Sequence, residues 1–389
     1  MKAKFPIINF SLFEFTRRAL TGGRISLKGV FFLPLYYLQI LPVLPFAYIQ
    51  FLIFNRRIRE TRFTKDPVFI LGHYRSGTSL LQKLITSDKR FGFLNYYDAL
   101  FPNTSLLLGS KMQPVFQFLI HLFQIKNPFF HNTVLQLSEP DEEDDYLMNK
   151  SSAYSAYWGL IFPRRWREWL NGSMQCKDQE YVKGWKREYL HTLKYVTYRN
   201  KGKQLVLKSP PNTERIRILT EMFPQAKFIF IYRNPAHIFL STRNMWKNAI
   251  LKYYSLQKIS EEELSEIIFG HFEYLMDQYE KNKVIIPEGN LIEISYEKLK
   301  KDTFHAIREI YNKLNLPDFN LTSADLMNQI EKEREYQNFN YHLDKETLDK
   351  IGKRWGKYFR RWGYETIGKQ FSDVVILKHS EKTGSGTSK

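Results

Sequence analysis

One stretch of the sequence combines glycines, hydroxyls and a cation in the order of a phosphate-binding loop. It consists of Gly72, His73, Tyr74, Arg75, Ser76, Gly77, Thr78 and Ser79, and is called the phosphate cradle below. In nucleoside-triphosphate loops of the form G-x-x-x-x-G-K-[ST], backbone amides surround the phosphates and a lysine reaches the terminal ones. Here Thr78 takes the lysine position, and the cation lies inside the loop at Arg75. Amides, hydroxyls and the positive end of the next helix still suit one phosphate, which favours a nucleotide whose single 5′-phosphate carries a transferable group.

Two further basic residues follow predicted strands. One apolar run ends at Lys208, and another, Lys227–Tyr232, ends at Arg233. Ser241 comes eight residues after Arg233, on a predicted helix. We therefore expect Arg233 and Ser241 to bind a second phosphate close to the first. A lone arginine or serine is more often structural, so this prediction rests on the combination.

Six of the seven residues at 139–145 are acidic, in a chain with 58 Lys and Arg against 40 Asp and Glu and a net charge of +18. Such runs are usually solvated, and we expect this of most of these carboxylates. A carboxylate beside Arg75 or Lys208 would be able to take the proton from an attacking hydroxyl. Glu142 is the first candidate for this general base, and Glu143 is the second.

Alternating elements are expected to position these groups. Strands are predicted at 68–71, 205–207, 227–232 and 290–294, and helices at 78–87, 178–198, 214–223, 261–282 and 300–314. This alternation predicts an α/β fold with a doubly wound parallel sheet and ligand sites at the carboxyl ends of its strands. Residues 89–150 are predicted to be an irregular insertion. Arg215 and Arg217 are expected on the solvated side of their helix.

The N-terminal segment has an unusual charge pattern. Residues 29–54 contain no charged side chain, but prolines interrupt them and basic residues flank them on both sides. Cations on both flanks favour a hairpin or pair of helices at an anionic membrane surface over a single span. Two helices buried in the core are the alternative. With one cysteine, Cys176, the chain suits a reducing compartment, so we expect a cytoplasmic protein, peripheral or monotopic at the cytoplasmic face of the membrane.

The composition also disfavours some partners. An excess of basic residues is compatible with nucleic-acid binding. The sequence has no zinc-finger spacing, RNP-like signature or basic heptad helix, however, so nucleic acid is not an expected partner. The nine histidines show no metal-ligand spacing, and no metal site is predicted.

The cradle and the Arg233–Ser241 pair together resemble the sulfotransferases that use 3′-phosphoadenosine 5′-phosphosulfate. Leu71–Ser79 resembles that family's 5′-phosphosulfate loop, and Tyr232–Pro235 with Ser241 is similar to its 3′-phosphate motif. Leu207–Pro210 and Ile294–Leu299 resemble segments of the bacterial and tyrosyl-type branches. The resemblance implies a P-loop-like sheet, the phosphosulfate nucleotide as cosubstrate and no metal.

The resemblance also implies a division of labour. Arg75, Lys208 and the hydroxyls of Thr78 and Ser79 would stabilise the departing 5′-phosphate while Glu142 deprotonates the acceptor. The histidine base of the small-phenol branch has no counterpart next to Lys208, and related enzymes carry a similar Pro-x-Glu-Glu-Asp element. A nucleotide kinase is disfavoured because the loop lysine and a Mg²⁺-holding aspartate are missing.

The acceptor side is expected at residues 89–200, whose many aromatic residues favour a hydroxyl-bearing acceptor that is small or lipid-like, such as a sterol-like alcohol. A carbohydrate acceptor is the alternative, and a non-catalytic, membrane-associated nucleotide-binding scaffold is the alternative of another class. The expected organisation is a basic, apolar segment at 1–66, a sulfotransferase domain at 67–370 and a tail at 371–389.

Overall fold

A central parallel β-sheet carries the elements of the predicted site. The computed structural model describes residues 12–27, 29–30, 34, 38, 41–127, 129, 133–150, 152–170, 179–334 and 345–364. Five strands form the sheet in the order β2-β3-β1-β4-β5, and all neighbours are parallel. They are β1 (Val68–Leu71), β2 (Phe91–Gly92), β3 (Gln204–Lys208), β4 (Lys227–Tyr232) and β5 (Leu291–Ser295).

The strands are apolar because both faces of the sheet are covered. Phe69 and Leu71 of β1 point into one hydrophobic core, whereas Val68 and Ile70 point into a second core on the opposite face. This alternation follows from the two-residue period of a strand, and burial on both faces explains the nearly continuous apolar runs. The predicted parallel α/β sheet flanked by helices is confirmed.

Helices surround the sheet and fill the connections between its strands. The α-helices are α1 (Leu12–Thr21), α2 (Leu44–Glu60), α3 (Thr78–Thr86), α4 (Tyr96–Leu100), α5 (Ser105–Leu122), α6 (Glu143–Asn149), α7 (Trp158–Ile161), α8 (Trp166–Trp169), α9 (Gln179–Arg199), α10 (Ile216–Met222), α11 (Pro235–Met245), α12 (Glu261–Asn282), α13 (Tyr296–Lys301), α14 (Thr303–Lys313), α15 (Ser323–Arg334) and α16 (Lys345–Arg361). Short 3₁₀ segments lie at Leu41–Val43, Pro163–Arg165, Pro210–Thr213, Lys283–Ile285 and Phe319–Thr322, and a π-helix at Trp246–Tyr254 continues α11.

Several sequence-based boundaries were wrong. Residues 89–150 are not an irregular insertion, because they contribute the edge strand β2 and the 18-residue helix α5. The predicted helix at 300–314 is two helices, since the Asp302 carboxylate accepts from the backbone N–H of His305 and starts α14. Arg215 is fully buried rather than solvated, while Arg217 is exposed as expected.

The two ends of the chain are described only in part. Within the predicted segment at 29–54, residues 31–33, 35–37, 39 and 40 lie outside the described residues, and so do 365–389 with the predicted tail. Residues 44–54 belong to α2, much of whose apolar surface is exposed. No helix among the described residues is long and apolar enough to cross a bilayer. Near the C-terminus, α16 buries Trp355 against rings of α11 and α12.

Candidate active site

The phosphate cradle connects β1 to α3 through a tight backbone path. Gly72 has φ +149°, and its N–H donates to Thr213 Oγ1 at 2.8 Å. A Cβ at Gly72 would come within 2.6 Å of the Ile231 carbonyl oxygen. Gly77 has φ +104° at the start of α3, and a Cβ there would collide with the Tyr296 ring. Both glycines are therefore required by the backbone shape and by the close approach of neighbouring residues, Ile231 of β4 at Gly72 and Tyr296 of α13 at Gly77.

Arg75 crosses from the cradle to the helix after β4. Its backbone is in the left-handed region, with φ +67°. The Arg75 Nε donates to Ser241 Oγ at 2.9 Å, and Nη1 donates to the Phe129 carbonyl at 3.4 Å. The structure thus brings Arg75 and Ser241 together, whereas Ser241 was predicted to act with Arg233.

Arg233 lies at the carboxyl end of β4, next to the cradle. Its guanidinium carbon is 4.2 Å from the centre of the Tyr296 ring, and Nη1 donates to the Arg75 carbonyl at 3.4 Å. The Nε atom is buried and has no hydrogen-bond partner among the described residues. A buried guanidinium N–H without an acceptor fits a site for an anion.

The other cradle side chains differ in their surroundings. Ser76 is buried, and both its N–H and its hydroxyl donate to the His73 carbonyl, which closes the turn. Thr78 is buried and Ser79 half-buried in the first turn of α3. His73 and Tyr74 face inward, where burial lowers the pKa of His73 to about 4 and raises that of Tyr74 well above its usual value. These two residues offer a ligand their backbone rather than a charged side chain.

The acidic run at 139–145 binds the end of β3 through consecutive carboxylates. Glu142 forms an ion pair with Lys208 Nζ, and both side chains are largely buried. Glu143 is fully buried, and its Oε1 accepts from the Lys208 backbone N–H at 2.9 Å. Its Oε2 accepts from Asn212 Nδ2 at 3.0 Å. Both candidate bases thus hold Lys208, one through its side chain and the other through its backbone.

Asp144 continues this arrangement one residue further along. It forms a fully buried, bidentate ion pair with Arg215, in which Nη1 donates to Oδ2 at 2.6 Å and Nη2 donates to Oδ1 at 3.0 Å. Asp144 Oδ2 also accepts from Ser209 Oγ at 2.8 Å. Arg215 also lies over the Trp185 ring, 5.0 Å from its centre. The expectation that most of these carboxylates are solvated was wrong, because Asp141, Glu143 and Asp144 are buried.

Arg215, Ser209 and Thr213 had no predicted role in the site. A buried carboxylate requires a cation or several hydrogen-bond donors, so a buried acidic run would have predicted a partner such as Arg215. The sequence does not show which carboxylates are buried, however, and therefore does not identify the partner residue.

Burial dominates the electrostatics of the acidic run. It raises the pKa of Glu143 to about 8, although the Lys208 N–H and the Asn212 amide oppose the shift. It also raises the pKa of Asp141, to about 7. The pKa of Glu142 is raised as well, with the Lys208 ammonium opposing the effect of burial. Carboxyls with raised pKa values next to a buried lysine are suited to proton transfer near neutral pH.

Glu142 and Glu143 differ in accessibility. Both oxygens of Glu143 accept hydrogen bonds, and its side chain is inaccessible to solvent. The side chain of Glu142 is 16% exposed. Of the two carboxylates, only Glu142 is therefore accessible from outside the protein. Lys208 of β3 is the register partner of Ile70 in β1. Glu142, which is bound to Lys208, therefore lies beside the strand that leads into the cradle.

Comparison with known proteins agrees with these features. The model of the sulfotransferase family matches residues 67–320, more than half of the chain. A relative from Mycobacterium tuberculosis (strain CDC 1551 / Oshkosh), omega-hydroxy-beta-dihydromenaquinone-9 sulfotransferase Stf3, is 29% identical over 319 residues, which cover 81% of this chain and 80% of the relative.

Two solved structures share the fold. Sulfotransferase STF1 from Mycobacterium tuberculosis H37Rv superposes with a TM-score of 0.66 at 15% identity, covering 88% of this chain and 92% of its own. Sulfotransferase STF9 from Mycobacterium avium gives a TM-score of 0.63 at 17% identity, covering 94% of this chain and 100% of its own. The resemblance that the cradle and the Arg233 motif predicted is confirmed: the chain belongs to the sulfotransferase family.

Proposed function

We propose that this protein transfers a sulfonate group from 3′-phosphoadenosine 5′-phosphosulfate to a hydroxyl of a lipid-like acceptor. The observation that carries the proposal is the Glu142–Lys208 ion pair at the end of β3, beside the strand that leads into the cradle. It joins a candidate proton acceptor to a cation able to stabilise a leaving phosphate.

The residues of the cradle fit such a cosubstrate. The amides of the loop and the first turn of α3 would hold the 5′-phosphate, with Arg75 beside it. Arg233, whose buried Nε lacks a partner among the described residues, would bind the 3′-phosphate together with the Ser241 hydroxyl. Ser241 is 2.9 Å from Arg75 Nε, so the two phosphate sites would be adjacent.

The reaction forms a bond between the acceptor oxygen and sulfur and breaks the bond between sulfur and the 5′-phosphate oxygen. Glu142 takes the hydroxyl proton, and the bond electrons leave with the 5′-phosphate. Arg75 and Lys208 stabilise the charge that develops there, with the hydroxyls of Thr78 and Ser79. Glu143 is a positioning residue, because it holds the Lys208 backbone and the Asn212 amide rather than the reacting atoms.

A lipid-like acceptor is supported by two independent facts. The mycobacterial relative, which aligns over four-fifths of this chain, is named for a hydroxylated menaquinone derivative. In addition, α2 and α5 expose large apolar side chains, which fits a protein that works at a membrane surface. We propose that the enzyme is peripheral and takes its acceptor from the cytoplasmic face of the membrane.

A product assay with the purified protein tests this function. The phosphosulfate donor is combined separately with an omega-hydroxylated isoprenoid quinone, a sterol, an oligosaccharide and no acceptor, and release of adenosine 3′,5′-bisphosphate is followed together with product mass. We expect release with the quinone and a product heavier by one SO₃. Turnover of the oligosaccharide alone would favour a carbohydrate sulfotransferase.

Nucleotide binding tests the scaffold alternative. We expect adenosine 3′,5′-bisphosphate to bind the protein more tightly than ATP with magnesium, because the cradle lacks the loop lysine. Preference for ATP with magnesium would contradict the assigned cosubstrate. Tight bisphosphate binding without transfer to any acceptor would support a non-catalytic role.

A further inference from the structure

Over its first ten residues, helix α2 exposes apolar side chains on most of its circumference. Exposed are Phe46, Tyr48, Ile49, Phe51, Leu52 and Ile53, with Leu52 at 61%. Gln50, on the opposite side, is buried and holds the start of α5 by donating to the Pro102 carbonyl and accepting from the Leu106 N–H. The apolar residues of α2 are therefore not a face turned toward the protein core.

Helix α5 continues this pattern along one stripe. Val115, Phe118 and Leu122 are spaced three and four residues apart and are exposed, and Phe123 and Ile125 extend the stripe beyond the helix. Phe118 is 64% exposed and Phe123 is 66% exposed. Because side chains at this spacing share one side of a helix, α5 presents an apolar edge to its surroundings. These residues of α2 and α5 are called the apolar surface below.

Basic residues border the apolar surface. Arg56, Arg57, Arg59 and Arg62 follow the apolar part of α2, and Lys111 and Lys126 flank the stripe of α5; all six are exposed. Glu60 is the one acidic residue in the ranges 44–65 and 105–127. Large apolar side chains with a basic border match the apolar interior and anionic head groups of a membrane surface.

Two arguments select a bilayer over a second copy of the chain. A symmetric dimer through this surface would oppose the basic borders of both copies, which repel each other. The apolar part of α2 spans about 15 Å, roughly half of the hydrocarbon thickness of a bilayer, so it suits insertion from one side.

The apolar surface also lies close to the reaction centre. Ile125 is exposed, and four residues later the Phe129 carbonyl accepts from Arg75 Nη1. Four residues of extended chain reach at most about 14 Å, which limits the distance from the end of this surface to Phe129. A lipid acceptor would then travel only a short way from the bilayer to the cradle.

We propose that the apolar surface of α2 and α5 docks the protein onto an anionic lipid bilayer, with the end of α5 next to the entrance used by the acceptor. Docking follows from exposure and charge alone. Only the acceptor entrance rests on the proposed function.

Vesicle co-sedimentation tests docking without donor or acceptor. Wild-type protein is mixed with vesicles of phosphatidylcholine and phosphatidylglycerol at three to one, and with phosphatidylcholine alone. The variant Phe118→Ser/Leu122→Ser/Phe123→Ser removes the three most exposed side chains of the stripe. Val284→Ser/Leu321→Ser is the control, since these apolar side chains are 77% and 73% exposed elsewhere on the protein. Thermal unfolding checks that both variants fold.

We expect wild type and control to bind the anionic vesicles equally, the triple variant to bind at least tenfold more weakly, and neutral vesicles to bind wild type poorly. Equal binding by wild type and triple variant, or none by wild type, would overturn the proposal. A lipid-free dimer that the triple variant dissociates would instead make this surface an interface between copies.

An activity assay separates this proposal from the proposed function. With a short, water-soluble alcohol we expect the triple variant to turn over like wild type, and with acceptor embedded in anionic vesicles to lose at least tenfold. An equal loss with both acceptors would contradict the docking role. If no acceptor is turned over by wild type while vesicle binding still depends on the stripe, docking stands and the proposed function fails.

Discussion

The phosphate cradle and the acidic run lie at neighbouring strand ends, but they are held in different ways. The turn of the cradle is closed by Ser76, which donates to His73 three residues earlier. Glu142, Glu143 and Asp144 of the acidic run bind the segment from Lys208 to Arg215, which lies 65 to 71 residues further along the chain. A turn closed by a local contact is recognisable from its own sequence, although distant residues such as Thr213 and Ser241 also bind the cradle. In the acidic run, distant contacts distinguish the carboxylate that we propose as the base from the one that we propose positions Lys208.

Lys208 binds the acidic run and lies beside the strand that leads into the cradle, and replacing it should have the largest effect. Lys208→Met removes the cation assigned to the leaving phosphate, and we expect kcat to fall about 10³-fold. Lys186→Met, which removes a lysine paired with Glu221 on the surface, should keep the wild-type rate. The double variant Lys208→Met/Glu142→Gln removes both charges of the buried pair, so its stability reports whether unpaired Glu142 unfolds the protein. A kcat of K208M within threefold of wild type would refute the assigned role.

Breaking the Asp144–Arg215 pair tests how strongly distant contacts hold the acidic run. Asp144→Ala leaves a buried guanidinium without its partner, and we expect a loss of roughly 3–5 kcal/mol in the free energy of unfolding, measured with urea. Asp144→Leu/Arg215→Met replaces both charges by apolar groups and should recover most of that loss. A single variant that costs less than about 1 kcal/mol would mean that this pair does not hold the run.

Glu142→Gln tests whether Glu142 is the general base, in contrast to Glu143, which we propose only positions Lys208. We expect kcat/KM to fall about 10²-fold, because the amide cannot accept the proton. The base works only when deprotonated, and burial raises the pKa of Glu142, so wild-type kcat/KM should rise with pH through an apparent pKa above 4.5 and then level off. The variant should lose this rise.

Glu139→Gln is the control within the same run, since Glu139 forms its ion pair with Lys83 and Glu142 forms its own with Lys208. It should retain both the rate and the pH profile. Glu143→Gln keeps one acceptor oxygen and should lower kcat less than Glu142→Gln does. The reverse order of these two effects would make Glu143 the base.

Gly77→Ala tests the cradle itself and should have the smallest effect. The added Cβ collides with the Tyr296 ring at a backbone angle of +104°, and we expect about tenfold weaker binding of adenosine 3′,5′-bisphosphate by calorimetry. Gly289→Ala is the matched control, because Gly289 also has a positive φ, of +78°, but open space around it. Equal effects of the two substitutions on binding would show that general strain, rather than the cradle, is responsible.

The sequence by itself determined the class of fold and the position of the cradle. The apolar run at Lys227–Tyr232 forms a strand with those bounds, and the Gly72–Ser79 loop joins a strand to a helix as predicted. Both signals are local: an apolar run reports burial on two faces, and glycines at fixed offsets report a backbone that only glycine adopts easily.

Only the tertiary structure decided what the individual charged residues do. Arg215 has the pattern of a solvated helix position, yet it is buried because Asp144 approaches from another segment. Ser241 follows Arg233 in the sequence, yet its hydroxyl accepts from Arg75 across the fold. The role of an ionisable group depends on its burial and on which partner reaches it, and both depend on how distant segments pack together.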